Sequence, residues 1–321
     1  MRWSMRLGVV ALAALAVWGS VEVRRRVRAD SRFDLSSWRI ELGELPSWAP
    51  DEMRADLARL DLGGSPEEPL TVFTPRVLSV VRGRLLSTPW VRCIPRLSLR
   101  YPGFPSHGPT QNSLHRGPAR TDADPGGVTI AATAGGPPEK GWIEVELEVR
   151  VPLAAVLSDG LCTLVDAEGI RLGSPLSLER ARALGVVAIV GHRAGLHGRP
   201  PPPGIAWEDR DVREGIEVAR VLHDSGVLQE FASGPRIDAI DVSNVAGRAR
   251  RGECEIVLDC GDLRLGWGRS PISPGARTLP VPEVLQNLRR VLQNVRDIPG
   301  GHQVLLYTSP LVMGPWSSPR Q

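Results

Sequence analysis

The sequence predicts an α+β chain: an N-terminal apolar segment followed by two folded units. Three observations carry this. An uncharged stretch, LGVVALAALAVWGSV (Leu7 to Val21), lies between Arg6 and Glu22. Residues 38–99 run strand, helix, helix, strand, and a strictly alternating strand resumes at Trp142. From Cys162 to Thr308, short strands alternate with two amphipathic helices, and no internal repeat is visible. With 321 residues there is room for one large or two ordinary domains, and 42% hydrophobic content supplies their cores.

The apolar segment is short, since a bilayer span takes about 20 residues. Three readings compete. A cleaved signal peptide would use Arg2 and Arg6 and a small-residue site near Ala14 to Ala16. An uncleaved signal-anchor would keep Trp18 at the interface. A soluble amphipathic helix would need a polar face, which the stretch lacks. The expectation adopted is a transmembrane signal-anchor over residues 7–23 with a cytoplasmic tip over 1–6. Arg24, Arg25, Arg26 and Arg28 oppose it, because charge counting puts the side they occupy in the cytoplasm.

The first unit is expected over residues 31–151. Trp38 to Leu42 alternates as a short strand. Pro50 to Leu60 opens with Pro50, Asp51 and Glu52 and stripes Met53, Leu57 and Leu60 on one face, which is a helix with a proper start. Thr74 and Pro75 are suited to cap the next helix, whose stripe is Val77, Leu78, Val81, Leu85 and Leu86. Trp90 to Leu99 is a strand that stops at Pro102. Residues 103–141 are rich in Pro, Gly, Ser, Thr and His and read as a flexible insert. Ile143, Val145, Leu147 and Val149 then share one face of a strand that completes a hairpin with the earlier one.

The second unit, expected over 152–312 with a tail over 313–321, mixes strands and helices. Cys162 to Leu172 is two short strands around a DAEG turn, and Val186 to Val190 is a buried apolar run. Val212, Ile216, Ala219 and Leu222 stripe a helix. Strands follow at Arg236 to Val242, Cys254 to Cys260 and Leu263 to Gly266. A second striped helix carries Leu285, Leu288, Val291, Leu292 and Val295. Gln303 to Thr308 is the last strand, closed by Pro310.

Reactive constellations are scarce. A net charge of +3, with Arg scattered and Lys140 the sole lysine, offers no clustered basic face for nucleic acid. Cys93, Cys162, Cys254 and Cys260 lack metal-ligand spacing. Six residues of strand set Cys254 and Cys260 roughly 20 Å apart, beyond disulfide reach, while a Cys93–Cys162 bridge stays open. There is no phosphate-binding loop and no nucleophile elbow. His192 and His197 sit in a Gly-rich loop without an acid beside them, and Asp238 and Asp241 are three apart on a strand, so they point to opposite faces. Asp166 and Glu168 occupy a turn, where acids serve conformation. The chain is therefore expected to be no enzyme, with no cofactor, metal or small-molecule substrate.

Several motifs occur in a specific order. Pro89, Trp90 and Val91 form PWV at the helix-to-strand junction, and Leu99, Arg100, Tyr101 and Pro102 end that strand. Glu148, Arg150, Pro152, Leu153 and Ala154 lead between the units. Leu164, Val165, Asp166, Glu168 and Gly169 make an LVDxxG hairpin, and LRLG (Leu263 to Gly266) precedes a Leu-striped helix. This order, from about residue 5 to 310, resembles the bacterial cell-division protein family FtsQ (DivIB in Gram-positive species). The resemblance implies a single-pass anchor, a POTRA domain (β-α-α-β-β) and a C-terminal β domain with an edge strand. It departs from the family in the long insert, the arginine run after the apolar segment, and the absence of the acidic-Leu-Arg signature before the last strand.

What the resemblance implies is a bitopic, single-span scaffold in the bacterial inner (plasma) membrane with most of the chain extracytoplasmic. Such a scaffold captures FtsB/FtsL-like partners by strand addition at its C-terminal edge. The matching residues are Gln303, Val304, Leu305, Leu306, Tyr307 and Thr308, with Tyr307 as the side-chain anchor. Two alternatives remain: a POTRA-containing envelope transport or assembly protein, and an envelope enzyme built on His192, His197 or the acidic pair.

Overall fold

The structure is a computed structural model that describes residues 15, 17–23, 25–26, 30, 33–35, 38–42, 45–60, 70–100, 129–130, 141–193, 200–232, 234–250, 253–273 and 279–315. The chain divides into two compact units: Met1–Ala49 with Arg54–Val149, and Pro50–Met53 with Arg150–Gln321.

The transmembrane expectation for residues 7–23 is corrected here. Helical backbone is present at 15, 17–23 and 25–26, but among the described residues no helix is long and apolar enough to cross a membrane. The fold is a mixed α/β arrangement with two sheets. Residues 1–6, residues 7–14 and 16 of the apolar segment, Tyr101, Pro102 and most of the 103–141 insert lie outside the described residues.

The first unit runs β1 (Arg39–Leu42), α1 (Asp51–Ala58) from Arg54 onward, α2 (Val77–Leu86), β2 (Val91–Arg100), β3 (Thr129–Ile130) and β4 (Trp142–Val149). The sheet order is β1-β4-β2, with β1 parallel and β2 antiparallel to β4. The alternation of WIEVELEV becomes an alternation of environment, since Ile143, Val145, Leu147 and Val149 are all buried. On the other face, Glu144, Glu146 and Glu148 stand opposite Ser98, Arg96 and Cys93 of β2. The register shifts on both sides of Cys93, and Pro95 lies within the second irregular stretch; proline lacks a ladder donor. Within the expected insert, Thr129 and Ile130 pair with Glu148 and Leu147 of β4. Helix α2 begins later than Thr74 and Pro75 suggest: Arg76 stands before it in the left-handed region at φ 58°, while the Thr74 hydroxyl accepts from Thr71 N at 3.0 Å. The Thr-Pro pair shapes the turn into the helix rather than its first residues.

The second unit is one nine-stranded mixed sheet in the order β13-β12-β11-β10-β9-β8-β5-β6-β7. Its strands are β5 (Ala154–Ser158), β6 (Leu161–Val165), β7 (Arg171–Ser177), β8 (Val187–Val190), β9 (Ala239–Asp241), β10 (Ile256–Cys260), β11 (Leu263–Gly268), β12 (His302–Leu305) and β13 (Val312–Pro315). Helix α3 (Leu178–Ala183) starts at an N-cap, where Ser177 accepts from Arg180 N. Helices α4 (Arg210–Asp224), α5 (Val227–Glu230) and α6 (Val281–Gln293) complete the unit. Val212, Ile216, Ala219 and Leu222 of α4, and Val284, Leu288, Val291 and Leu292 of α6, join one core with Val156, Ile189, Ile240, Leu258, Leu265 and Val304. β5, β8, β10 and β11 contribute alternate residues to that core (Ala154 and Val156, Val187 and Ile189, Ile256 and Leu258, Leu263, Leu265 and Trp267), so the periodicities of 3.6 and 2 meet there. All four cysteines are free thiols.

Candidate functional site

The C-terminal strands build the candidate site. β12 pairs parallel with β11 (Arg264↔Gln303, Leu265↔Val304, Gly266↔Leu305) and antiparallel with β13 (Gln303↔Gly314, Val304↔Met313, Leu305↔Val312). The expectation that Gln303 to Thr308 forms the sheet edge is therefore corrected. Strand β12 ends at Leu305, has a neighbour on each side, and leaves β13 at the margin. The strand stops five residues before Pro310, which was expected to close it, and the chain returns as a further strand that runs into the expected tail.

Each expected residue has a definite place. Val304 and Leu306 are buried in the core beneath α6. Leu306 N donates to Gly266 O at 2.9 Å, and Asn287 Nδ2 of α6 donates to Leu306 O at 2.9 Å, so the chain leaving β12 is held from two sides. Leu305 is half-buried over Gly266: a Cβ on that glycine would stand 3.0 Å from Leu305 Cδ2 and 3.4 Å from Gln303 Nε2. Tyr307 is likewise half-buried, and burial pushes its phenol pKa up, with the Cys254 thiol adding to the effect. Cys254 is itself pushed up to about 12 by burial, against hydrogen bonds from Gly268 and to Ile256. Thr308 turns its hydroxyl back to Leu305 O at 3.1 Å. These six residues hold the margin in place; the margin itself is Val312 to Pro315, with Val312 48% and Met313 58% exposed.

The opposite margin is covered. Arg171 N, at the start of β7, donates to Ile205 O at 3.0 Å, and Gly204 N donates to Arg171 O at 2.9 Å. Arg171 Nη1 also donates to Pro201 O at 2.5 Å, so the proline-rich loop is tied along the strand. Farther along β7, Pro175 removes a main-chain donor. An uncovered margin accepts a strand from another chain, whereas a margin with a loop and a proline on it resists one.

The motif residues serve structure. Trp90 is fully buried, and its indole Nε1 donates to Asp56 Oδ2 of α1 at 3.0 Å. Pro89 precedes it, and Val91 is paired with Val149. Glu148 accepts from Arg92 Nη1 at 3.3 Å and from the Cys93 thiol at 2.8 Å, which raises that thiol's pKa. Pro152 stands between β4 and β5. Asp166 Oδ1 accepts from Glu168 N at 2.9 Å and Ile170 N at 2.8 Å, while its Oδ2 takes Arg150 Nη1 at 2.6 Å. Gly169, at φ +77°, lets the turn close beneath it. For Arg150, burial works to lower the pKa, and the bonds to Glu168 and Asp166 outweigh it, so the net shift is upward.

The remaining polar candidates do not converge. His192 Nε2 lies 3.1 Å from Leu157 O, and its ring meets Trp207 edge-on at 5.7 Å. His197 lies outside the described residues. Asp241 Oδ1 accepts from Ser243 N at 2.9 Å, whereas Asp238 pairs loosely with Arg182 at 3.9 Å. Among the described residues, no group of three or more His, Cys, Asp or Glu is placed to hold a metal ion.

Sequence reasoning missed β13. The segment VMGP is short and non-alternating, begins two residues after Pro310 and ends in Pro315, so periodicity had nothing to detect. Only its pairing to β12 reveals it. No known protein-family description, curated protein or solved structure matches the chain.

Proposed function

We propose that this chain is a non-enzymatic scaffold of the bacterial cell-division machinery that captures a partner strand on β13. The observation that carries the reading is the asymmetry of the second unit's sheet. One margin is tied down by the Arg171 loop contacts and by Pro175 within the strand, while the other is four residues with exposed Val312 and Met313 and a proline only at its last position, Pro315. Two further features support it. The β-α-α-β-β order of the first unit, with β1 parallel to β4, is the arrangement that a POTRA domain implies, apart from the two-residue β3. The PWV and LVDxxG motifs lie in the order that the FtsQ resemblance requires.

On this reading the partner is an extended segment of an FtsB/FtsL-like protein, and the two units work on the extracytoplasmic side. Affinity comes from main-chain hydrogen bonds, each contributing about 1 kcal/mol net, with apolar contacts to Val312 and Met313.

The test is co-purification of the full chain with an FtsB/FtsL-like pair, comparing wild type with Val312→Pro and Met313→Pro. Successive residues of a strand direct their amides to opposite sides. One variant therefore removes a donor facing β12 and the other a donor facing outward. The outward variant should lower capture about tenfold while circular dichroism stays unchanged. Wild-type capture by both variants would overturn the proposal.

A further inference from the structure

Away from β13, a cavity of about 120 Å³ opens between α5 and the beginnings of β8 and β9. Its walls are Val186, Val187, Val227 and Ile237, all at most 8% exposed, with half-buried Leu228 and Phe231 beside them. These walls are fixed parts of the unit rather than loose surface: Val187 belongs to β8, and Val187, Val227 and Ile237 belong to the main core. At the mouth, Gly185 sits at φ +76° with open space where a side chain would be, and Ala232 is exposed.

The charge at the mouth has one sign. Arg236 is exposed, and among the described residues its guanidinium makes one hydrogen bond, from Nη2 to Arg182 O at 3.0 Å. The nearby carboxylates are engaged elsewhere. Glu230 of α5 is held by Arg289 Nε at 2.9 Å, and Asp238 faces Arg182 at 3.9 Å. The site thus combines an apolar recess with a cation at its rim.

We propose that this recess binds one large apolar side chain of an acidic peptide, with Arg236 taking the neighbouring carboxylate. The volume limits the size of the anchor. A closed cavity of about 150 Å³ holds a whole benzene molecule, so a recess of about 120 Å³ that is open at its mouth takes a leucine side chain, or a phenylalanine ring that stays partly in the mouth, and is too small for an indole. Arg236 decides the flanking charge, because a guanidinium matches a carboxylate in fork geometry. The site is independent of β13 and would recognise a separate segment.

The probes are N-acetyl-Phe-Asp-amide, N-acetyl-Phe-Lys-amide and decanoate, titrated into the full chain and followed by the methyl resonances of Val186, Val187, Val227 and Ile237. The acidic dipeptide should shift these methyls saturably in the millimolar range. Arg236→Ala should weaken it about three- to fivefold, as an exposed ion pair does. Ala232→Phe should abolish the shifts by filling the mouth, with the remaining spectrum preserved as the check on folding. Silence of these methyls, equal binding of the lysine dipeptide, or tighter binding of decanoate would each overturn the proposal.

Discussion

Tyr307 lies across Gly268. The glycine sits at φ +99°, and a Cβ there would stand 3.0 Å from the Cβ, Cγ and Cδ1 of the tyrosine. β11 thus has no side chain at the point where the chain leaving β12 crosses it. The ring packs on backbone, which accounts for its half-burial and its raised pKa.

Gly268→Ala should therefore lower stability by about 1–3 kcal/mol, from a strained positive φ and a clash with Tyr307. Urea unfolding followed by tryptophan fluorescence measures it. Adding Tyr307→Ala should relieve the clash and leave the backbone strain, so the two changes should be non-additive. An unchanged midpoint in Gly268→Ala would refute this account of the contact.

The hydrogen bond between the buried Trp90 indole and the half-buried Asp56 carboxylate makes a second prediction. Trp90→Phe keeps most of the aromatic volume but leaves the Asp56 carboxylate without its indole donor, at a cost of about 1–3 kcal/mol. Combining it with Asp56→Leu should recover part of the loss. A coupling energy near zero in the double-mutant cycle would show that the 3.0 Å hydrogen bond contributes nothing.

Acid dependence should centre on Glu144. Its hydrogen bond to Arg100 holds the carboxyl below its ordinary value of 4.5, and Ser98 adds to this against the effect of burial. A depressed folded-state pKa contributes stability that is complete above the unfolded value and is lost as pH falls through the folded one. Arg100→Ala should thus melt below wild type at pH 7, and the gap should close at acid pH. A gap in Tm that is constant from pH 7 to pH 2 would contradict this.

Thiol chemistry offers a fourth check. Burial raises Cys260 to about 12, with help from Asp259 and Asp238, and raises Cys254 to about 12 as well. At pH 8 both thiols are therefore held in the protonated form, and the thiolate is the reactive form. Iodoacetamide should modify neither in the native protein and both in urea, as read by peptide mass spectrometry. Rapid native labelling of Cys254 would contradict its placement.

Much of the fold was legible. WIEVELEV alternates apolar and acidic residues, and no other structure satisfies a period of 2 so strictly, so β4 follows from the letters alone. The stripes of α4 and α6 are equally plain, since Val212, Ile216, Ala219 and Leu222 recur at helical spacing. Strand ends were harder. The run Arg236 to Val242 contracts to Ala239–Asp241, because the partners that define the strand lie on β8 and β10. The candidate site was legible only in its support: Val304 and Leu306 are readable as core, whereas Val312 and Met313 carry no pattern.

The sequence by itself determined the buried faces of β4 and α4 and where the turns fall at Asp166 and Gly169, but it misplaced Leu78 and Leu86, expected in the buried stripe of α2 and found 38% and 44% exposed. Those faces and turns depend on local periodicity and on backbone preferences of single residues. Only the tertiary structure decided the order of the nine strands and therefore which strand stands at the margin. Order in a sheet is set by pairing between segments distant in sequence. Strand β12 became interior because four residues beyond Leu311 returned to pair with it, and the margin passed to Val312 through Pro315.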